Sequence, residues 1–421
     1  MPSHADRRAG TRLGYAAVWA LLAISGIVMI EPAPFDLTLI LVAALMFLAG
    51  LRIPAWCVTP TALLILFLGF GAIAATQTPE LADSLRHVAI TAYLAVATLF
   101  FSCFVYRNPE RALKVMFSGY AIAAVIAVIA GIIGYFSQLP GAFDLFTENS
   151  RARGTFKDPN VFGPFVIAPA LYAFHRLVEG AGKAAPYWAM VFLLTTVGIL
   201  LSFSRGAWGH YVVSFAVCLF LLFATGMSAR LRLRVTALTV ILVLLGGVAL
   251  AGIISLQPVA DLLSVRFQLV QDYDVAGGAG RFEGQVFALK RILHNPLGLG
   301  AYGFASLWPG GAPHNVYLYA FLIGGWIGGL AFVQLVVLTA VVGLAAAPRP
   351  SPLRGPAIIL LSTFLGLIAL GLVIDIDHWR HFYLLVGAIW GLAGHIMRFY
   401  APARSLRSAA RKPTSGAPIR P

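Results

Sequence analysis

Charge is scarce in this chain. Only 11% of its 421 residues are Asp, Glu, Lys or Arg, while 60% are apolar, against roughly 45 to 50% in an ordinary soluble domain. That balance excludes a soluble globular protein and reads as polytopic in a membrane. Carboxylates are the rarer charge: 16 Asp and Glu stand against 30 Lys and Arg, a net charge of +14. The surplus does not point to nucleic acid, because the arginines gather in short blocks between apolar runs of about 20 residues, the pattern of membrane orientation. Cys57, Cys103 and Cys218 are widely spaced in or beside apolar segments, which leaves no disulfide framework and no metal spacing. No internal period stands out. No small-residue cleavage site follows Ile30, so the run behind Arg7, Arg8 and Arg12 is expected to be retained as a first helix.

Twelve apolar spans can be drawn, at roughly 15–30, 35–51, 57–75, 87–106, 115–136, 159–177, 187–203, 206–225, 235–255, 315–347, 357–374 and 382–399. The expected fold is an all-α membrane protein of about twelve transmembrane helices over residues 1–400, followed by a disordered basic tail, 401–421, near anionic headgroups. With both termini in the cytoplasm, two thirds of the basic residues fall inside, with only Asp6, Glu110 and Glu179 of the carboxylates. The remainder, among them Arg151, Arg153, Lys157, Arg205, Arg281 and Arg380, lie outside, where orientation gives no reason for them.

Three external segments carry most of these cations. In the first, Arg151-Ala152-Arg153-Gly154-Thr155-Phe156-Lys157-Asp158-Pro159-Asn160, Asp158 is positioned to cap the sixth span with Pro159 at its first turn. Cations before a helix N-terminus suit an anion, although arginines also snorkel to headgroups. The second, Ser202-Phe203-Ser204-Arg205-Gly206, is a tight turn that holds Arg205 at the membrane plane, where a charge usually has a task. The third is the long loop 256–313. Within it Phe282, Val286, Leu289 and Leu293 recur at helical spacing and are expected to pack down onto the membrane domain. Arg281 opens that stretch after Gly277-Gly278-Ala279-Gly280, a flexible approach that would let it reach inward.

The loop ends at Pro313-His314-Asn315-Val316-Tyr317-Leu318, and the tenth span that follows is longer than a bilayer requires. Its glycines, Gly324, Gly325, Gly328 and Gly329, form two four-residue pairs suited to close helix contact, which would fix His314 at the rim of a cavity.

Other motifs are weaker. Gly298-Leu299-Gly300-Ala301-Tyr302-Gly303 spells a dinucleotide pattern without the strand and crossover it needs. Asp272 and Asp274, and likewise Asp375 and Asp377, make acidic pairs without an obvious third ligand nearby, which favours solvated loop charge over a metal. His294-Asn295 duplicates His314-Asn315 in mid-loop. His378 and His381 flank Arg380 as secondary candidates.

At Arg151 to Asn160, Ser204-Arg205-Gly206, Asn295-Pro296-Leu297-Gly298-Leu299-Gly300 and His314-Asn315, with Gly325 and Gly328 following, the chain resembles the bacterial O-antigen ligase and O-antigen polymerase superfamily. The resemblance covers roughly Arg151 to Gly394. It implies a GT-C-type membrane glycosyltransferase of the bacterial inner membrane that moves a glycan from undecaprenyl diphosphate to an acceptor hydroxyl at the periplasmic face, without cofactor or metal and with inversion. Fixed cations stabilise a departing diphosphate, and arginine suits that task by bidentate, permanently charged contacts. Arg153, Arg205 and Arg281, with Arg151 and Lys157, are therefore expected to hold the donor. His314 would be a general base or an orienting group. Asn160, Asn315 and Arg380 are counted with the substrate-binding set. A polymerase of the same superfamily, a lipid-linked glycan transporter and a metal-dependent transferase using Asp272, Asp274, Asp375 or Asp377 are the competing readings.

Overall fold

The computed structural model describes residues 4–400 except 138, 227 and 255–279. Arg266, Asp272, Asp274, the glycines before Gly280 and the tail after Tyr400 lie outside the described residues. The chain is helical almost throughout. In order come α1 (His4–Ala23), α2 (Pro34–Leu48), α3 (Val58–Ala75), α4 (Leu81–Arg107), α5 (Pro109–Phe136), the short α6 (Ala142–Phe146), α7 (Pro159–Phe165), α8 (Ile167–Glu179), α9 (Ala185–Leu201), α10 (Arg205–Ala224), α11 (Ala229–Ile254), α12 (Arg281–His294), α13 (Val316–Ala346), α14 (Arg354–Leu370) and α15 (Arg380–Phe399). Among the described residues, nine helical stretches are long and apolar enough to cross a membrane, and three apolar helices in α1, α2 and α14 are shorter.

Neighbouring helices pack by bringing small residues against backbone. On α15, a Cβ at Gly387 would meet the Thr98 carbonyl at 2.6 Å and one at Gly391 the Ser102 carbonyl. Glycines four apart thus give α4 and α15 their close approach, as small-residue pairs do in bilayers. α3 packs along α13, α10 along α14, α8 along α9 and α1 along α5.

The glycines of α13 divide their roles. Gly324 and Gly328 lie against Phe67 and Phe70 of α3, as contact glycines should. Gly325 instead breaks the helix, with φ 63° and ψ −167°. The segment after α12 inserts at this break: Leu299 N donates to Leu322 O at 2.7 Å and Trp326 N to Pro296 O at 2.9 Å, replacing helical bonds. A Cβ at Gly325 would come within 2.5 Å of Pro296 O. The expected uninterrupted tenth span is therefore two helical pieces around a clamp of residues 296–299.

Between α5 and α7 the chain doubles back over α5. Thr147–Glu148 and Arg151–Ala152 form a two-stranded antiparallel turn, with Asn149 and Ser150 both at positive φ, the backbone that a tight hairpin requires. Gly154, also at positive φ, sits where a side chain would collide with Ala127 O.

Candidate functional site

A cavity of about 570 Å³ opens where these segments meet. Its wall includes Arg151 from the hairpin, Asn160 from α7, Phe203 to Gly206 from the turn before α10, Arg281 and Phe282 from α12, and Leu370, Val373 and Ile374 from the end of α14 and beyond. Three of the sequence-predicted cations, Arg151, Arg205 and Arg281, thus face one space although they are 130 positions apart at the extremes. Among the described residues, no carboxylate lines it.

Local bonds explain their positions. Asp158 caps α7 by accepting from Asn160 N at 2.7 Å. Asn160 Oδ1 then accepts from Arg151 Nη2 at 2.7 Å and from Ser204 Oγ at 2.8 Å, while Arg151 Nε donates to Ser202 O at 3.0 Å. Ser204 is itself the N-cap of α10, accepting from Ala207 N, and Phe203 takes the left-handed backbone that turns the chain so tightly. Arg205 follows at the first position of α10. On the opposite wall Arg281 Nη1 donates to Val373 O at 3.2 Å.

His314 does not line the cavity but stands behind Arg281. It too is left-handed, with φ 50°, and its Nδ1 is 3.9 Å from Asp375 Oδ2, an ion-pair separation rather than a hydrogen bond. Burial, and then the Arg281 charge, lower the imidazole below its ordinary range. Asp375 was read from sequence as solvated charge, and the structure corrects this. Its side chain is 19% exposed, and its Oδ1 is buried without a hydrogen-bond partner. Burial and the neighbouring Asp377 raise its carboxyl to about 7, against the N–H groups of Asn315 and His314 and the Arg281 charge.

Asn315 is occupied structurally. Its Oδ1 caps α13 through Tyr317 N and Leu318 N, and one N–H of its Nδ2 donates to Leu372 O at 3.1 Å. The same backbone stretch receives Gln285 Nε2 at Leu372 O and Val316 N at Gly371 O. Residues 371–375 are therefore the hub that fixes His314, Asp375 and Arg281 relative to each other.

Three expected substrate ligands lie outside the cavity wall. Arg153 donates to Lys157 O and Asp144 O, and Lys157 pairs with Glu31 at 2.8 Å. Arg380 makes two 2.7 Å bonds to Asp36. That pair is largely buried, and removing one partner from such a pair costs roughly 3 to 5 kcal/mol, so Arg380 serves the fold. His381 is buried beside Trp379 and Phe165.

Helix α12 also differs from expectation. Its packed face is Gly284, Ala288 and Ile292, with Gly284 against Trp308. Phe282, Val286, Leu289 and Leu293 are all more than half exposed. The apolar stripe faces away from the protein. Sequence reasoning missed the inner face of α10, where Gly206, Gly209, His210 and Val213 line the cavity; their helical spacing onward from Arg205 was the available signal.

No protein-family model matches the chain, and no curated protein sequence matches it.

Proposed function

We propose that this protein is an O-antigen ligase-like membrane glycosyltransferase that moves a glycan from a polyprenyl diphosphate, with undecaprenyl diphosphate as the donor, to an acceptor hydroxyl. One observation carries the reading: three arginines, Arg151, Arg205 and Arg281, share a cavity whose described lining residues include no carboxylate. A site built that way attracts a dianionic leaving group, so the charge that develops on the diphosphate is met by arginine. The donor's sugar-to-phosphate bond breaks as the acceptor oxygen attacks the anomeric carbon, with inversion. His314, neutral because of its setting, stands behind Arg281 and off the cavity wall, so it takes the acceptor proton through a bridging water, and Asp375 steadies the imidazolium.

In this reading the chain crosses the inner membrane twelve times, with both termini cytoplasmic. Arg354 at the start of α14 donates to Thr225 O at the end of α10, so the cavity, at the start of α10 and the end of α14, occupies the opposite end. Basic residues such as Arg107, Arg111, Arg230 and Arg349 flank the ends away from it, which supports a periplasmic cavity by the positive-inside rule. The exposed stripe of α12 starts at Phe282, itself a cavity residue, and gives the donor's lipid tail an apolar path.

The test is transfer by purified protein from defined undecaprenyl-diphosphate glycans, with lipid A core and glycan acceptors offered in parallel. Wild type should form product, and Arg205→Ala and Arg281→Ala should form at least about 100-fold less, the scale of losing one oriented transition-state contact. Near-wild-type product from both variants would sink the assignment. The preferred acceptor separates ligase from polymerase.

A further inference from the structure

The end of α4 that faces the 371–378 segment holds a second cluster that the proposed transfer does not use. His87 Nε2 is 3.2 Å from Asp377 Oδ2, and His378 Nε2 is 3.9 Å from the same oxygen. The ligand atoms of all three residues lie within 4.8 Å of one another. We propose that His87, Asp377 and His378 form a site for one divalent transition-metal ion of the zinc class.

The geometry favours an ion over a direct bond. His87 Nε2 and Asp377 Oδ2 are both buried, face each other closely, and yet neither is in hydrogen-bond alignment with any partner. Buried polar atoms left this way are costly unless something satisfies them. Tetrahedral nitrogen and oxygen ligands at about 2.0 to 2.1 Å from zinc stand roughly 3.3 Å apart, so the His87–Asp377 separation already fits, while His378, whose ring lies over that of His87 with centroids 3.9 Å apart, has to turn to aim its nitrogen at the same ion. Two imidazoles and one carboxylate are a borderline donor set that suits zinc better than magnesium or calcium. Thr91 Oγ1 lies 3.1 Å from the His87 carbonyl and 3.0 Å from His378 Nε2. With its proton on that carbonyl, the hydroxyl oxygen faces His378 Nε2, so the turn that aims His378 at the ion also takes its nitrogen off Thr91.

None of the three residues lines the arginine cavity, so the ion does not touch a donor diphosphate there. It ties α4 to the stretch whose carbonyls hold Asn315, Gln285 and Arg281. Its role is to fix that stretch, and it stands whatever substrate the cavity takes.

The experiment uses full-length protein in detergent with a tag free of histidine, stripped with chelator, incubated with zinc or cobalt chloride and passed through gel filtration. Wild type should retain close to one zinc per chain by elemental analysis, show the visible absorption of tetrahedral cobalt, and melt at a higher temperature with zinc than without. Asp377→Asn and His378→Gln, eluting as wild type does, should lose the ion, the cobalt spectrum and the zinc-dependent shift. Wild type that retains only a small fraction of one ion overturns the proposal, whether or not the variants fold. So does equal retention by folded variants.

Discussion

Arg151 Nη2 donates to Asn160 Oδ1 at 2.7 Å, and the same oxygen accepts from Ser204. One amide therefore joins the hairpin, the start of α7 and the turn that carries Arg205. Hydrogen bonds to charged groups are worth about 1.5 to 3 kcal/mol. Asn160→Leu removes the acceptor shared by both donors and lets two cavity walls drift. Transfer should fall at least about tenfold, through donor affinity more than maximal rate, with membrane expression unchanged. Steady-state kinetics over donor concentration checks it; an unaltered donor KM would remove Asn160 from the site.

The apolar spans were legible because bilayer burial is a local property of a run of residues, and each drawn span overlaps a helix, although the first, drawn to residue 30, leaves its helix at Ala23. Arg151, Arg205 and Arg281 were legible for a related reason: a cation held beside a membrane face needs a partner or a task. Arg380 obeyed the same rule and misled, since its partner Asp36 lies 344 positions away. Lys157 likewise has a partner distant in sequence, Glu31, and lies off the cavity wall. The exposed stripe of α12 was read by its period alone, and a period says which residues share a face but not whether protein or lipid covers it. Asp375 looked solvated because its burial comes from α12, α13 and the end of α14 meeting around it.

Gly325 and Gly324 are adjacent, and sequence spacing treats them alike. The structure does not. At Gly325 the positive φ and a Cβ within 2.5 Å of Pro296 O forbid a side chain, whereas at Gly324 an added Cβ makes ordinary contacts of 3.4 Å with Phe67. Gly325→Ala should destabilise by roughly 1 to 3 kcal/mol from backbone strain alone, with Gly324→Ala close to neutral. Thermal melting of both variants in detergent distinguishes them, and equal melting temperatures would contradict the clamp at residues 296–299.

The acid limb of the pH profile should report His314. Its imidazole is lowered by burial and by Arg281, and among the described residues the Asp375 carboxyl, raised to about 7, lies 3.9 Å away. The neutral, proton-accepting form therefore persists below the ordinary imidazole range of about 6.5. As pH falls, protonation of Asp375 near 7 first removes the charge that steadies the imidazolium, and the base itself is lost as pH passes through its lowered value, so kcat/KM should begin to decline near 7 and fall further below about 6.5. Arg281→Gln removes the positive neighbour and should move the limb of the residual activity upward, while Arg281→Lys leaves it in place. A limb that does not move in Arg281→Gln would mean that the profile reports another group.

The stripe on α12 makes a prediction about the membrane itself. Phe282, Val286, Leu289 and Leu293 turn outward, while the opposite face holds Gly284, Ala288 and Ile292 against the protein. An amphipathic helix exposing four large apolar side chains lies with that face in the headgroup and acyl boundary. The native cysteines are buried, so Leu289→Cys offers a selective site for a polarity-sensitive fluorophore. In liposomes the label should emit at the wavelength of an apolar setting and be quenched by spin-labelled lipid, whereas Lys290→Cys, one position round the helix, should be quenched less. Leu289→Asp should raise the KM for long polyprenyl donors several-fold and leave short-tailed donors little changed. Equal quenching at the two positions would show that α12 stands clear of the bilayer, and the donor's tail would then have to reach the cavity by the α10 side, past Val213.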